Sequence, residues 1–406
     1  MGKGRATSRA VPLSVDLRRK RPTFLVFGAP SIGEEEINEV VDTLRSGWIG
    51  FGPKCLRFER EFADYTQAEH AISVGSCTAG LHLALVASGI GPGDEVVTSP
   101  LTFSATVNVI EHVGATPVFV DVDRATQNVA PRTLEAAITP RTRAIIPVHF
   151  AGRPCDMDAI GEIAGRNHLT VIEDAAHAIE ASWRGRKIGS ISRFTVFSFY
   201  ATKNLTTAEG GMVTTSDEAA ADLISRLRLH GLDHDAWGRY SEAGFKPYDT
   251  TAPGFKYNLT DLQASLGLHQ LRRLEANLTV REDLWRRYDA ALADLDAIEP
   301  PHPAQPSERH ARHLYTILLR PEKTRVNRFE FINELRQRNI GTGVHFMPVH
   351  LHSYYRQKYG FQPGDFPVAE EIGDRTVSLP LSAGLSHEDV DDVVEAIRSV
   401  LLENGQ

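Results

Sequence analysis

Cysteine is scarce in this chain, and its three copies, Cys55, Cys77 and Cys155, lie far apart with no metal-ligand spacing. That argues against a disulfide framework and against a zinc site, so no metal is expected, and it fits a reducing cytoplasm. Long apolar runs are missing too. None approaches the roughly 18 residues that cross a bilayer, so no membrane partner is expected. Positive charge is not in excess: 44 Lys and Arg stand against 52 Asp and Glu, a formal net charge of −8. Nothing there suggests a nucleic-acid surface. The stretch from Met1 to about Arg21 carries Lys3, Arg5, Arg9, Arg18, Arg19, Lys20 and Arg21 but no apolar segment, so it does not read as a secretory signal. Residues 1–24 are expected to form a solvated, disordered arm.

What remains is the composition of an ordinary globular enzyme, with 42% hydrophobic and 24% charged residues over 406 positions, enough chain for two or three domains. Short β-rich runs alternate with helix-length segments through the middle of the chain. The strands are expected at Ala71–Val74, Glu95–Ser99, Pro117–Asp121, Ala144–Phe150, Thr170–Asp174, Phe194–Phe199 and Gly211–Thr215. Several are nearly continuous in Val, Ile and Phe, the pattern of strands buried on both faces. Helices are expected at Ala79–Ser88, Ala105–His112 and Met157–Asn167 between them, which predicts an α/β fold with a mostly parallel sheet. From Thr260, leucines at near-helical spacing predict a long helix. The proline-rich run Glu299–Pro306 marks a boundary. A strand at Tyr315–Leu319, a helix near Arg328–Arg338, a short strand through Gly343–Phe346 and a final helix His387–Leu402 then describe a smaller α+β domain. The expected division is a large domain over 25–275 and a small one over 276–406. No internal repeat or low-complexity tract is present.

Three local features carry chemistry. The first is Gly75-Ser76-Cys77-Thr78-Ala79-Gly80-Leu81 between a strand and a helix. Small residues there let backbone amides approach an anion at a helix N-terminus, with Thr78 as a further donor; from this run alone a plain helix cap is the readier reading, since Ser and Thr are preferred there anyway. The second is Ile172-Glu173-Asp174-Ala175-Ala176-His177, at the C-terminal end of a buried strand, where open α/β sheets bind ligands. An acid there can hold a pyridinium nitrogen protonated, and Asp174 is the candidate because Glu173 should point to the other face; a helix cap or a metal ligand is the alternative. The third is Phe197-Ser198-Phe199-Tyr200-Ala201-Thr202-Lys203-Asn204. Its lysine follows an aromatic strand, and burial would leave a nucleophilic amine. Taken singly each feature has an ordinary structural reading. Their order, at successive strand ends of one sheet, is what singles them out.

Those segments resemble the DegT/DnrJ/EryC1/StrS family of nucleotide-sugar aminotransferases, which use pyridoxal 5′-phosphate (PLP) and have the type I, aspartate-aminotransferase-like fold. The resemblance runs from about Ile32 to the last helix and includes Ser46-Gly47-Trp48-Ile49, Gly91–Val96, Ile145–Gly152, Ser198–Gly211, Gly254–Gly267 and Gly343-Val344-His345-Phe346. Pro253–Asp261 and Ile146–Gly152 look most like the enzyme that aminates the UDP-linked 4-keto-pentose of lipid A modification.

The resemblance implies roles for particular residues. Lys203 is the Schiff-base lysine and proton shuttle, and Asp174 pairs with the pyridine nitrogen. His177 lies near the ring's 3-hydroxyl, Phe103 stacks on the ring, and Thr78, Ala79 and Ser198 hold the phosphate. Many members complete the phosphate site with an Asn from the partner subunit; here Lys256 stands in that place, so either Lys256 or Asn258 serves. Trp48, Phe51 and His345 are substrate candidates, with His350 as a further one. Relatives often carry a Thr pair where this chain has Gly50-Phe51. The implied reaction moves nitrogen from glutamate or glutamine, through pyridoxamine phosphate, to a keto group at carbon 4 of a nucleotide-linked deoxysugar, in an obligate homodimer with shared sites. The alternatives are amination at carbon 3, amination of a cyclitol, or a catalytically silent regulatory member. Dehydrating relatives carry His in place of the lysine, and Lys203 argues against that outcome.

Overall fold

A computed structural model describes residues 20–233 and 248–404. Residues 1–19 of the expected arm lie outside the described residues. In chain order come α1 (Glu34–Ser46), α2 (Pro53–Thr66), β1 (His70–Val74), α3 (Cys77–Ala87), β2 (Glu95–Thr98), α4 (Ser104–His112) and β3 (Thr116–Phe119). Next are α5 (Pro131–Ala136), β4 (Thr142–Ile146), α6 (Met157–Asn167) and β5 (Thr170–Asp174), then the short pair β6 (Ser182–Trp183) and β7 (Arg186–Lys187). β8 (Phe194–Ser198), β9 (Gly211–Thr215) and α7 (Glu218–Leu227) complete the large unit.

Seven of these strands form one sheet in the order β1-β9-β8-β5-β4-β2-β3. All run parallel except β9, which is antiparallel to both β1 and β8. The strands are buried because their Val, Ile and Phe side chains pack on both faces, α3 and α7 against one and α2 and α6 against the other. The C-terminal ends of the six parallel strands therefore open on a single edge.

The second unit begins in α8 (Asp261–Leu292), capped by Thr260 and Gln263, and continues through β10 (Ile298–Glu299), β11 (Glu308–Arg309), β12 (Tyr315–Leu319), α9 (Arg328–Gln337), α10 (Ser353–Tyr359), α11 (Pro367–Arg375), β13 (Thr376–Leu379) and α12 (His387–Glu403). β10, β12 and β13 make a small antiparallel sheet. β11 instead pairs with β6 and ties the two units together.

Four expectations differ from the structure. The run expected as a strand through Phe150 ends at Ile146, because Pro147 follows and Phe150–Gly152 turns as a 3₁₀ helix with Ala151 at φ 55°. Gly343–Phe346 is not a strand; it makes a single bridge, from Gly343 to Ser378. The expected domain boundary at 275 and 276 falls inside α8. Leu268, Leu271 and Leu274 pack in the large core, while Leu284, Trp285, Tyr288 and Leu292 pack in the small one, so one helix belongs to both. Finally, Arg21 is not part of a free arm: its amide donates to the Arg338 carbonyl (3.3 Å) and its guanidinium pairs with Asp389. Leu25, where the large unit was expected to begin, bridges Ile340 and is buried in the small core. No helix among the described residues is long and apolar enough to cross a membrane.

Candidate active site

The sheet edge holds a cavity of about 320 Å³. Its wall draws on every feature singled out in the sequence: Ser76, Cys77 and Thr78 after β1, Phe103 at the start of α4, Asp174 at the end of β5, Ser198 at the end of β8, and Lys203 beyond it.

The turn after β1 is held tightly. Ser76 caps α3 by accepting from the Ala79 amide (3.1 Å), so the Cys77 and Thr78 amides remain as the first-turn donors. Gly211 of β9 lies directly behind: a Cβ there would meet the Cys77 nitrogen and the Phe197 oxygen at 2.7 Å, so only glycine lets the turn pack this closely.

Asp174 accepts from the Thr106 hydroxyl (2.7 Å) and the Ala176 amide (3.1 Å), with the Cys77 sulfur 4.0 Å away. Thr106 in turn contacts the Thr102 hydroxyl (2.8 Å). Glu173 does point to the opposite side. There it meets His149 Nε2 (2.8 Å), the Thr195 hydroxyl (2.9 Å) and the Ser192 amide (3.2 Å). His149 Nδ1 accepts from the Cys155 amide (3.0 Å), so Nε2 carries the proton given to Glu173.

Lys203 is half-buried in the turn after β8. Burial pushes its amine down to about 8, against the pull of Cys77 and Asp174 that favours the charged form. Three imidazoles lie near enough to feel its charge and are held neutral. Burial, then the Lys203 charge, hold His177 and His313 well below the ordinary histidine value, and burial takes His345 to about 3. His177 Nδ1 is buried without a partner, which leaves Nε2 as the nitrogen turned to the cavity. His345 Nδ1 contacts the Ser378 hydroxyl (2.7 Å).

A buried carboxylate facing a lysine whose amine is partly neutral at neutral pH, beside a helix N-terminus, is the donor set of a cofactor with an anionic tail and a basic ring nitrogen. The model of the DegT/DnrJ/EryC1/StrS aminotransferase family matches residues 30–398.

The chain belongs to that family.

It is 53% identical over 384 residues to the spore coat polysaccharide biosynthesis protein SpsC of Bacillus subtilis, covering 94% of this chain and 98% of the relative. Among solved structures, the PLP-form of the putative sugar aminotransferase Spr1654 from Streptococcus pneumoniae superposes with a TM-score of 0.86 at 36% identity, over 94% of this chain and 99% of that one. DesV of S. venezuelae, in complex with a ketimine intermediate, gives 0.81 at 36% identity, over 90% and 93%. The protein is therefore a PLP-dependent aminotransferase of fold type I.

The residues of this aminotransferase fit PLP. The Thr78 and Ser198 hydroxyls and the amides of Cys77 and Thr78 suit a phosphate, the Asp174 carboxylate suits a basic ring nitrogen, and the nitrogen of His177 turned to the cavity suits a ring oxygen. Phe103, 62% exposed, leaves its ring available to cover one face.

Other sequence candidates lie elsewhere. The Ala79 amide is already used by Ser76, and Ala79 lines a neighbouring cavity of about 290 Å³ with Lys256. Asn258 lines neither cavity, and its side-chain amide donates to the Leu259 carbonyl (2.8 Å). Phe51 is not at a mouth: it is buried in the large core with the Arg228 guanidinium 4.4 Å from its ring centre. Trp48 is anchored by its indole N–H to the Phe51 carbonyl (3.0 Å) and also lies outside the cavity lining. His350 is fully buried against Glu370 (2.9 Å), away from the cavity. Sequence reasoning missed Thr106, His149, His313 and Phe346. Thr102 and Thr106, four apart at the start of a helix below Phe103, carried a usable signal. His313 carried none, since it reaches the site only through the packing of the second unit.

Proposed function

We propose that the protein transfers an amino group from glutamate or glutamine to a keto group, at carbon 4, of a nucleotide-linked deoxysugar. The observation that carries this reading is the Lys203 amine, lowered to about 8 by burial, in one cavity with an Asp174 carboxylate fixed by Thr106. When bound, PLP supplies an electron sink for the carbon that gains and loses the proton. Asp174 keeps the ring nitrogen protonated, and Thr106 and the Ala176 amide hold its carboxylate in place. Lys203 would take up and return the transferred proton at Nζ, for which an amine titrating near neutrality is suited. His177 would donate to the 3-oxygen, and Phe103 and Phe346 would exclude water from the ring.

A sugar substrate is supported by the names of the relatives: SpsC belongs to polysaccharide biosynthesis and Spr1654 is a putative sugar aminotransferase. The choice of carbon 4 rests on the Pro253–Asp261 motif. A homodimer with shared sites is supported by the cavity lining, in which Lys203 is, among the described residues, the one basic side chain other than histidine. A phosphate dianion and the carboxylates of a donor need further charge and N–H donors, and the partner subunit's Lys256, as a cation, or the partner subunit's Asn258, as a neutral donor, fills part of that need. The exposed Ile32, Ile37, Leu44 and Ile49 are apolar surface that a second copy would cover. The three cysteines, unpaired here, agree with a cytoplasmic setting.

The test is a panel of TDP- and UDP-linked 4-keto and 3-keto sugars offered with glutamate or glutamine, with products read by mass. Gain of an amino group on a 4-keto sugar is the expected result. Amination of 3-keto sugars alone would refute the carbon assignment, and bleaching of the cofactor's visible band by neither donor would refute the donor assignment.

A further inference from the structure

The residue after the cofactor lysine is tied down by both polar atoms of its side chain. Asn204 Nδ2 donates to Glu180 Oε2 (2.8 Å) and to the Ala311 carbonyl (3.0 Å), and Oδ1 meets His313 Nδ1 (3.0 Å). Turning the amide over would set its oxygen against a carboxylate and a carbonyl, so the orientation follows from its partners. His313 must then donate from Nδ1, which leaves Nε2 as a bare acceptor.

This cluster is continuous with the frame of the molecule. Glu180 is fully buried and pairs with Arg281, itself 2% exposed on α8. Arg281 also donates to the Arg312 carbonyl (3.2 Å) and the Ala311 carbonyl (3.3 Å). On the other side, the His313 ring lies 4.5 Å from the His177 ring, centre to centre, and His177 lines the cavity. One chain of contacts therefore runs from the helix shared by both cores, through Glu180 and Asn204, to the Lys203 turn and the imidazoles beside it.

The geometry points to Asn204 as a positioning residue of the aminotransferase reaction, one that fixes His313 as the Nδ1–H tautomer and anchors the Lys203 turn to Glu180 and the Ala311 carbonyl. Its side chain acts through Lys203 and His313. Fixing a neutral imidazole in one tautomer matters because a ring free to exchange tautomers presents a donor at Nε2, where the fixed ring offers an acceptor. Anchoring the turn matters because misplacing a reacting group by about 1 Å costs on the order of 10²-fold in rate.

The test uses full-length protein labelled with ¹⁵N-histidine, read by ring-nitrogen shifts in the cofactor-free form, so its first arm is independent of the reading of Lys203. His313 is expected to be protonated at Nδ1. A spectrum showing it protonated at Nε2 would overturn the proposal with no variant needed. The second arm, which rests on Lys203 as the cofactor lysine, follows the rate at which cofactor-free protein takes up pyridoxal phosphate, from visible absorbance. Asn204→Leu is expected to free the tautomer and slow uptake on the order of 10²-fold. Asn204→Gln keeps both an acceptor for His313 and a donor for Glu180 and the Ala311 carbonyl, so it is expected to keep the tautomer and recover part of the rate, even where the leucine variant fails to fold. Both variants retaining the wild-type tautomer and the wild-type rate would overturn the proposal. A wild-type protein that takes up no cofactor, with the Nδ1–H tautomer intact, would refute the assignment of Lys203 while leaving the tautomer standing.

Discussion

Lys203 should make the cofactor-free protein less stable, and the size of that effect follows from its environment. In water a lysine amine titrates near 10.5, whereas burial brings Lys203 down to about 8. One pKa step is about 1.4 kcal/mol, so carrying the charged amine into the fold costs about 3 kcal/mol. The sign is fixed by linkage. Below pH 8 the amine is charged in both the folded and unfolded chain, and the whole penalty is present. Between pH 8 and 10.5 the folded amine loses its proton before the unfolded one, so the penalty shrinks, and above 10.5 it is gone. Lys203→Met replaces the amine with an apolar chain of similar length. The variant should therefore melt higher than wild type at pH 7, by about 3 °C for a chain of this length at roughly 1 °C per kcal/mol. The difference between the two proteins should close as the pH approaches 10.5. Calorimetry on cofactor-free protein at several pH values measures it, and taking the difference cancels the other alkaline titrations. A wild type that is the more stable at pH 7, or a difference that does not change with pH, would refute the reasoning.

Three further outcomes are expected. Thr106→Val keeps the shape of the side chain but removes the donor to Asp174; a hydrogen bond to a charged acceptor is worth about 1.5–3 kcal/mol, so single-turnover transamination should slow about 10-fold to 100-fold with the melting temperature little changed. Phe51→Ala should destabilise the fold by about 3–5 kcal/mol, seen as a lower denaturation midpoint, while the preference among keto sugars measured on the folded fraction stays the same. Altered sugar preference in that variant would return Phe51 to the substrate mouth. Gly211→Ala should weaken cofactor binding measured by absorbance titration, because its Cβ pushes on the Cys77 amide; unchanged affinity would mean the turn has slack.

Much of the fold was legible because buried parallel strands are written as unbroken β-branched and aromatic runs. Thr170–Asp174 and Gly211–Thr215 match their expected bounds for that reason. The direction of β9 was not legible, since a fully buried strand reads the same whichever way it runs. Phe51 was misplaced because an aromatic beside glycines looks like a loop residue until the Arg228 side chain is seen packed on it.

The sequence by itself determined the alternation of strands and helices in the middle of the chain, the turn at Ser76–Thr78, and the places of Asp174 and Lys203 at strand ends of one sheet, because these follow from local patterns and from where strands stop. Only the tertiary structure decided that Thr106 holds Asp174, that three neutral imidazoles lie near Lys203, and that Asn204 joins the Lys203 turn to Glu180 and Arg281. The physical reason is distance along the chain. His313 and His345 come from the second unit, and α8, which passes through both cores, brings that unit against the sheet edge. Burial, set by that packing, then lowers the Lys203 amine to about 8.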